Sequence, residues 1–232
     1  ATPLVVLLSG SLFVISAYNS DGTDLRPGRY TDLASLVAGE ADRYDSLKSE
    51  AADLSEEVSR LTSQVKDKTV DRLQGEIEEV RAPAGLTAVT GPGITVTLSD
   101  SPEDVVDSTT QKVGLLVVHQ QDIQAVVNAM WRGGAEAVTI AGQRLVSTTG
   151  IKCHGNAVLL QGRPYPQPYV IQAIGDPDAL SSAVTADEDV ALYVEQSEIP
   201  DIAVGWDLET EDEVDAPAYD GLLTRSYAEV LR

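Results

Sequence analysis

Residues 117–134 read Val-Val-His-Gln-Gln-Asp-Ile-Gln-Ala-Val-Val-Asn-Ala-Met-Trp-Arg-Gly-Gly and contain one complete helix signal. Asp122 is of a residue type that N-caps helices, and the pair Gly133-Gly134 is typical of a helix end. Between these signals the apolar side chains recur at the spacing of one helix face, at Ile123, Val126, Val127 and Met130. The stretch therefore predicts an amphipathic helix at 123–132.

Short apolar runs on both sides of this helix predict strands. A tight turn at Gly91-Pro92-Gly93 leads into the first of them, and Asp176 and Pro177 begin a second helix at 177–183. The predicted strands are 94–98, 112–118, 137–140, 145–149, 157–161, 169–174 and 190–194. With the extra hairpin strand set aside, the order βαββαβ predicts an α+β head of the ferredoxin-like class, an antiparallel sheet with both helices on one face.

The N-terminal stretch at 2–18 has no charged side chain, and the first charge is Asp21. As a helix it would cover about 26 Å, close to the roughly 30 Å of a hydrocarbon core. Tyr18 lies where an interfacial aromatic side chain is expected. We expect a single-pass membrane anchor at 1–20 with the body outside the cytoplasm. A secretory signal peptide ending near Ser16-Ala17-Tyr18 is the alternative.

A linker and stalk segment follows at 21–84. Its apolar residues recur at alternating steps of three and four, the a/d pattern of a coiled coil, at Tyr44, Leu47, Ala51, Leu54, Val58, Leu61 and Val65. The phase slips after Val65, Gly75 weakens the helix, and Pro83 follows its end. We predict a helical stalk at 31–81 that forms a homodimer or binds a partner helix. The alternative is one amphipathic helix folded back onto its own domain.

The last segment is acidic. Between Asp207 and Asp220 there are seven carboxylates and no basic side chain, which is typical of a disordered tail. The sequence thus predicts four segments: an anchor at 1–20, a stalk at 21–84, a head at 85–206 and an acidic tail at 207–232.

Composition excludes several kinds of function. The 232 residues include 37 acidic and 16 basic side chains, a net charge of -21 that would repel nucleic acid. One Cys excludes a thiolate-rich metal site, and two His leave little for a histidine-based one. Gly91-Pro92-Gly93 lacks the Lys and Ser/Thr of a phosphate loop, and no Gly-x-Ser-x-Gly elbow occurs. We therefore expect no enzymatic activity, cofactor or metal.

Several consecutive motifs resemble domain of unknown function 881, over about residues 86–180. They are 117–131, Gly134-Ala135-Glu136-Ala137-Val138, Gly142-Gln143-Arg144-Leu145, Cys153-x-Gly155-Asn156 and 168–177. The resemblance implies a protein of Gram-positive bacteria, chiefly Actinobacteria and Firmicutes. Members commonly have an N-terminal membrane span and a coiled coil, and no enzymatic activity is established for them. Some are encoded near cell-division and cell-wall genes.

One polar cluster is a candidate for ligand or partner binding. It comprises Gln120, Gln121, Asp122, Asn128, Glu136, Gln143 and Arg144. The planar fork of the Arg144 guanidinium is suited to clamp a carboxylate of a partner protein or wall peptide. The alternative is an internal salt bridge from Arg144 to Glu136 or Asp122.

Together these patterns predict a membrane-anchored scaffold or accessory subunit whose stalk and head recruit cell-division or cell-wall proteins. The alternative is an extracytoplasmic binding module for a small anionic ligand or peptidoglycan fragment.

Overall fold

The computed structural model describes residues 29–65, 67–155 and 157–221. The predicted membrane span at 2–18 lies outside these residues. Within the described ranges, no helix combines the length and apolar character needed to cross a membrane. The chain divides into two compact units, Ala1–Lys66 and Asp67–Arg232.

The first unit contains helix α1 (Arg29–Ser63). Its predicted a and d positions are solvent-exposed: the exposed fractions of Tyr44, Leu47, Leu54, Val58 and Leu61 lie between 37% and 63%. In the unit as described, this apolar stripe is not covered.

The second unit begins with helix α2 (Lys68–Arg81). Asp67 caps it, because a carboxylate oxygen accepts hydrogen bonds from the backbone nitrogens of Thr69 at 2.7 Å and Val70 at 3.4 Å. The predicted single stalk helix at 31–81 is therefore wrong. Two helices occur instead, and the second starts where the heptad phase slips.

The rest of the second unit is an α+β head with antiparallel sheets, as predicted. Its elements in chain order are β1 (Val89–Ser99), α3 (Glu103–Ser108), a 3-10 turn (Val113–Leu115), α4 (Gln120–Arg132), β2 (Ala137–Ile140), β3 (Gln143–Arg144), β4 (Ile151–His154), β5 (Ala157–Leu160), β6 (Arg163–Pro166), β7 (Tyr169–Ile174), α5 (Pro177–Thr185), α6 (Glu188–Ser197) and β8 (Gly205–Ala216). The main sheet has the order β3-β2-β7-β1-β8, and β4, β5 and β6 form a second sheet.

The helices α4, α5 and α6 contribute to one core with alternate residues of β1. Ile94, Val96 and Leu98 are fully buried in that core. Thr95 points to the other face, where its hydroxyl lies 3.2 Å from Glu211 Oε1 and 3.3 Å from Gln172 Nε2. This alternation fixes the register of β1, since a shift by one residue would exchange the apolar and polar faces.

Three predicted strands are wrong. The segment at 112–118 contains the 3-10 turn, and 145–149 is a loop after β3. The apolar run at 190–194 belongs to α6, because the Asp187 carboxylate accepts from the backbone nitrogens of Asp189 and Val190 and starts a helix there. Val190 and Tyr193, three residues apart, are its buried side chains.

The predicted disordered tail is also wrong over its first part. Residues 205–216 form β8 and pair with β1 from Ser99↔Gly205 to Val89↔Ala216. Its carboxylates are mostly exposed, whereas Val214 and Ala216 are buried. The register shifts between Gly91 and Gly93, around Pro92, which has no backbone N–H to donate to the ladder.

Gly93 allows the close approach of β1 to β7. A Cβ atom at this position would overlap the carbonyl group of Ala173, lying 2.9 Å from its carbon atom. Gly93 also pairs with Ile174 in the ladder, so the backbone cannot easily move away.

We predict that Gly93→Ala lowers the free energy of unfolding by about 2 kcal/mol or more, since the added methyl group overpacks the sheet. Urea denaturation followed by tryptophan fluorescence measures this, because Trp131 and Trp206 both lie in the second unit. Gly114→Ala is the control, as its Cβ atom would meet nothing within 4 Å. Equal stabilities of the two variants would contradict the assigned contact.

Candidate functional site

The β2–β3 hairpin positions Arg144. Thr139 pairs with Arg144 and Ile140 with Gln143, so the loop consists of two residues. Both have positive φ, 49° at Ala141 and 75° at Gly142. A two-residue turn of this kind follows the twist of the strands, and strand alternation then places Arg144 and Gln143 on opposite faces.

The Arg144 side chain is only 4% exposed. Its Nη1 donates to the carbonyl oxygens of Thr87 at 3.4 Å and Pro217 at 3.3 Å, and its Nε is buried without a partner. Burial lowers the pKa of this guanidinium, because leaving water disfavours the charged form. Among the described residues it forms no ion pair. The predicted alternative of a salt bridge to Glu136 or Asp122 is therefore wrong.

Arg144 lines an open cavity of about 380 Å³. The other lining residues are Pro83, Ala84, Gly85, Trp131, Glu136, Leu145, Val146 and Ser147. A second cavity of about 380 Å³ shares Trp131 and 145–147 with it and extends along α4 to Gln124. We call these two adjoining cavities the Arg144 groove.

Helix α4 supplies one wall of the Arg144 groove. Gln124, Asn128 and Trp131 are spaced four and three residues apart, so they lie on one strip of the helix. Asn128 is exposed, and Trp131 is 40% exposed. The strip lies beside the buried face of Val127 and Met130. Because Asn128 and Trp131 are three residues apart on it, an amide group borders an aromatic ring.

The structure thus brings together three of the predicted site residues, Asn128, Glu136 and Arg144. Asp122 and Gln121 instead line a different cavity, of about 280 Å³, with His119, Asp189 and Tyr193. The remaining predicted residues lie at the ends of helix α4 and strand β3.

Gln120 links α4 to β4, since its Oε1 accepts from the backbone nitrogen of Cys153 at 3.3 Å. Gln143 is half-buried in the hairpin.

Asp122 is not the N-cap that the sequence predicts. Helix α4 begins at Gln120 with His119 as N-cap, and Asp122 reaches back to accept from the His119 backbone nitrogen at 2.7 Å. Burial raises the pKa of the Asp122 carboxyl, while that hydrogen bond and the His119 ring, 3.6 Å away, act in the opposite direction.

Sequence reasoning missed Trp131, 145–147 and 83–85 as parts of a site. Trp131 was predicted only as part of the helix at 123–132, although a large aromatic residue outside the apolar face of an amphipathic helix is a signal of an exposed surface. Residues 145–147 gave no signal because they were predicted as part of a strand, and 83–85 were predicted only as the segment after the stalk helix.

No group of three or more His, Cys, Asp or Glu suited to hold a metal ion occurs within the described ranges.

These features define the class as an α+β head domain on antiparallel sheets with an open polar and aromatic groove. The chain belongs to the family described as bacterial protein of unknown function (DUF881), whose model matches residues 76–229. The predicted resemblance is therefore confirmed.

Known relatives match this chain over part of their length. It is 39% identical over 108 residues to UPF0749 protein YlxW of Bacillus subtilis, covering 45% of this chain and 44% of that protein. It is 33% identical over 126 residues to UPF0749 protein Rv1823 of Mycobacterium tuberculosis, covering 53% of this chain and 40% of that protein. The chain therefore spans less than half the length of these relatives.

A crystal structure of an uncharacterized conserved protein from Mycobacterium tuberculosis matches with a TM-score of 0.50 and 22% identity. The match covers 67% of this chain and 99% of the other. It shows a shared fold.

The raised pKa of Asp122 predicts a pH-dependent stability. The folded state holds this proton more tightly, so the contribution of the carboxyl to the free energy of unfolding is largest below its usual pKa of 3.8 and falls as pH rises through the raised value. Asp122→Asn keeps an acceptor oxygen for His119 but cannot ionise. We expect the stability of this variant relative to the unchanged protein to increase between about pH 3.5 and 7.

Denaturation at several pH values checks this prediction. Asp178→Asn, which removes an exposed carboxylate from the first turn of α5, is the matched control. A stability difference for Asp122→Asn that stays flat or decreases with pH would contradict the prediction.

Proposed function

We propose that this protein is a non-enzymatic, membrane-anchored component of the bacterial cell envelope, a scaffold or accessory subunit that recruits cell-division or cell-wall proteins through its stalk and head. The exposed apolar stripe of α1 is the observation that carries this proposal. A soluble monomer rarely exposes such a continuous stripe, and a regular one indicates a partner helix.

The composition of the stripe favours a second copy of the chain as that partner. Leu47, Leu54 and Leu61 occupy the d positions. The a positions hold the β-branched Val58 and Val65 as well as Tyr44 and Ala51. Leucine at d with β-branched residues at a favours parallel two-stranded coiled coils. The stalk is therefore a parallel homodimer in this proposal.

The other parts of the proposal rest on the sequence. The uncharged stretch at 2–18 is the proposed single-pass anchor, and the acidic body then lies outside the cytoplasm. The interleaved strand order β8-β1-β7-β2 supports a ferredoxin-like head, extended by the β2–β3 hairpin and the second sheet.

The stalk is tested by sedimentation of the chain and of Leu54→Asp. We expect the unchanged chain to be dimeric and Leu54→Asp to weaken the dimer at least about 100-fold, because two buried leucine side chains are lost per dimer. Ala52→Asp adds the same charge at an exposed position outside the stripe and should leave the dimer intact.

A chain that remains monomeric at about 100 μM would contradict the homodimer, since a Kd weaker than this corresponds to a binding free energy of less than about 5–6 kcal/mol. Equal weakening by Leu54→Asp and Ala52→Asp would show that the stripe is not the interface.

The location and the recruiting role are tested through Cys153, the single cysteine, which is exposed. A membrane-impermeant maleimide with a photoreactive group should label it in intact cells and crosslink the head to division or wall-synthesis proteins. Cys153→Ser controls for other thiols. Labelling only after permeabilisation would contradict an extracytoplasmic head, and crosslinks to lipid alone would contradict a scaffold.

A further inference from the structure

The strongest unassigned feature of the head is the buried Arg144 guanidinium. Arg144 is charged and only 4% exposed, and it has no carboxylate partner among the described residues. Burying an unpaired charge has a high desolvation free energy, so the position of this guanidinium needs a physical explanation. Two backbone hydrogen bonds of 3.3 and 3.4 Å are long and satisfy only Nη1.

One edge of the guanidinium has no hydrogen-bond partner among the described residues. Nη1 is held by Thr87 and Pro217, whereas Nε has no partner and no described residue is bonded to Nη2. Gly85 faces this edge: a Cβ atom there would lie 3.7 Å from Nε and 3.8 Å from Nη2. The same Cβ atom would lie 2.8 Å from Val146 Cγ1, so Gly85 and Val146 pack beside the edge that holds the unpartnered Nε. Two parallel donors on one edge match the two oxygens of a carboxylate.

The lining of the Arg144 groove selects the ligand class. Trp131, Val146 and Pro83 provide apolar surface beside the guanidinium, so an apolar side chain next to the anionic group would also be buried. Glu136 lines the same cavity and disfavours a second negative charge. A single carboxylate is therefore favoured over a dianionic phosphate.

We infer that the Arg144 groove is a binding site for the carboxylate of a peptide, with the carboxylate on the Nε–Nη2 edge of Arg144 and the adjacent apolar side chain against Trp131. Asn128 lines the groove on the same helix, and its amide group is the hydrogen-bonding partner of the peptide backbone in this arrangement. This site belongs to the head alone and does not depend on dimerisation of α1.

The probe is N-acetyl-Ala-Leu with a free C-terminal carboxylate, compared with its C-terminal amide. We expect the acid to bind the full chain with a Kd of about 0.1–1 mM and at least about tenfold more tightly than the amide. The readouts are the fluorescence of Trp131, assigned with Trp131→Phe, and the nitrogen-15 NMR signal of the Arg144 Nε–H group, which should shift only with the acid.

Two kinds of variant separate binding from folding. Arg144→Met removes the guanidinium at similar volume and should abolish the preference for the acid. Ser147→Glu places a competing carboxylate at an exposed position of the groove and should weaken binding at least tenfold, even if Arg144→Met fails to fold. Thr148→Glu, exposed and next in the chain, is the matched control and should bind like the unchanged protein.

Three results would overturn the site. Equal binding of acid and amide would mean that water satisfies the Nε–H group. An Arg144 signal that does not shift up to about 10 mM acid would mean that the edge is closed to ligands. Tighter binding of inorganic phosphate than of the acid would replace the carboxylate assignment. None of these results bears on the stalk dimer, which sedimentation tests separately.

Discussion

The close approach of β1 to β7 at Gly93 is the contact on which the head depends. Strand β1 lies between β7 and β8, so its position sets both ladders. The same pairing brings together the segments that adjoin the two strands. Val89 pairs with Ala216, and the carbonyl groups of Thr87, two residues before Val89, and of Pro217, one residue after Ala216, both accept from Arg144. Backbone groups at the end of the β1–β8 ladder therefore hold Arg144 in the groove. We expect a change at Gly93 that shifts β1 to displace Arg144 as well.

The sequence predicted those elements whose local signals agree with their surroundings. Strand β7 and helix α5 were predicted because an apolar run is followed directly by the Asp176 cap and Pro177. Strand β8 was missed because its carboxylates dominate its composition. Its outer positions face solvent and tolerate charge, while the buried positions Val214 and Ala216 are too few to give a clear alternation. Pairing with β1, a contact distant in sequence, decides its structure.

The candidate site was predictable in part for the same reason. Arg144 was selected for its chemistry. Its partners were not, since Thr87 and Pro217 act through backbone carbonyl groups that carry no residue signature. Asp122 was grouped with Arg144 because both lie near α4, but a helix of this length separates its two ends by about 18 Å. Spacing along the chain does not show which end of a helix meets a given strand.

Each of the two units has one surface feature without a partner among the described residues: the apolar stripe of α1 in the first unit and the Arg144 guanidinium in the second. The stripe on α1 is apolar, so association there should gain from burial of area and be insensitive to salt. The guanidinium in the Arg144 groove is charged within a protein of net charge -21, so long-range attraction cannot bring an anionic peptide to it. Binding there must come from short-range hydrogen bonds and apolar contact, and added salt should weaken the repulsion by the surrounding carboxylates more than the buried pair. The two surfaces therefore respond differently to ionic strength, which separates their contributions in the intact protein.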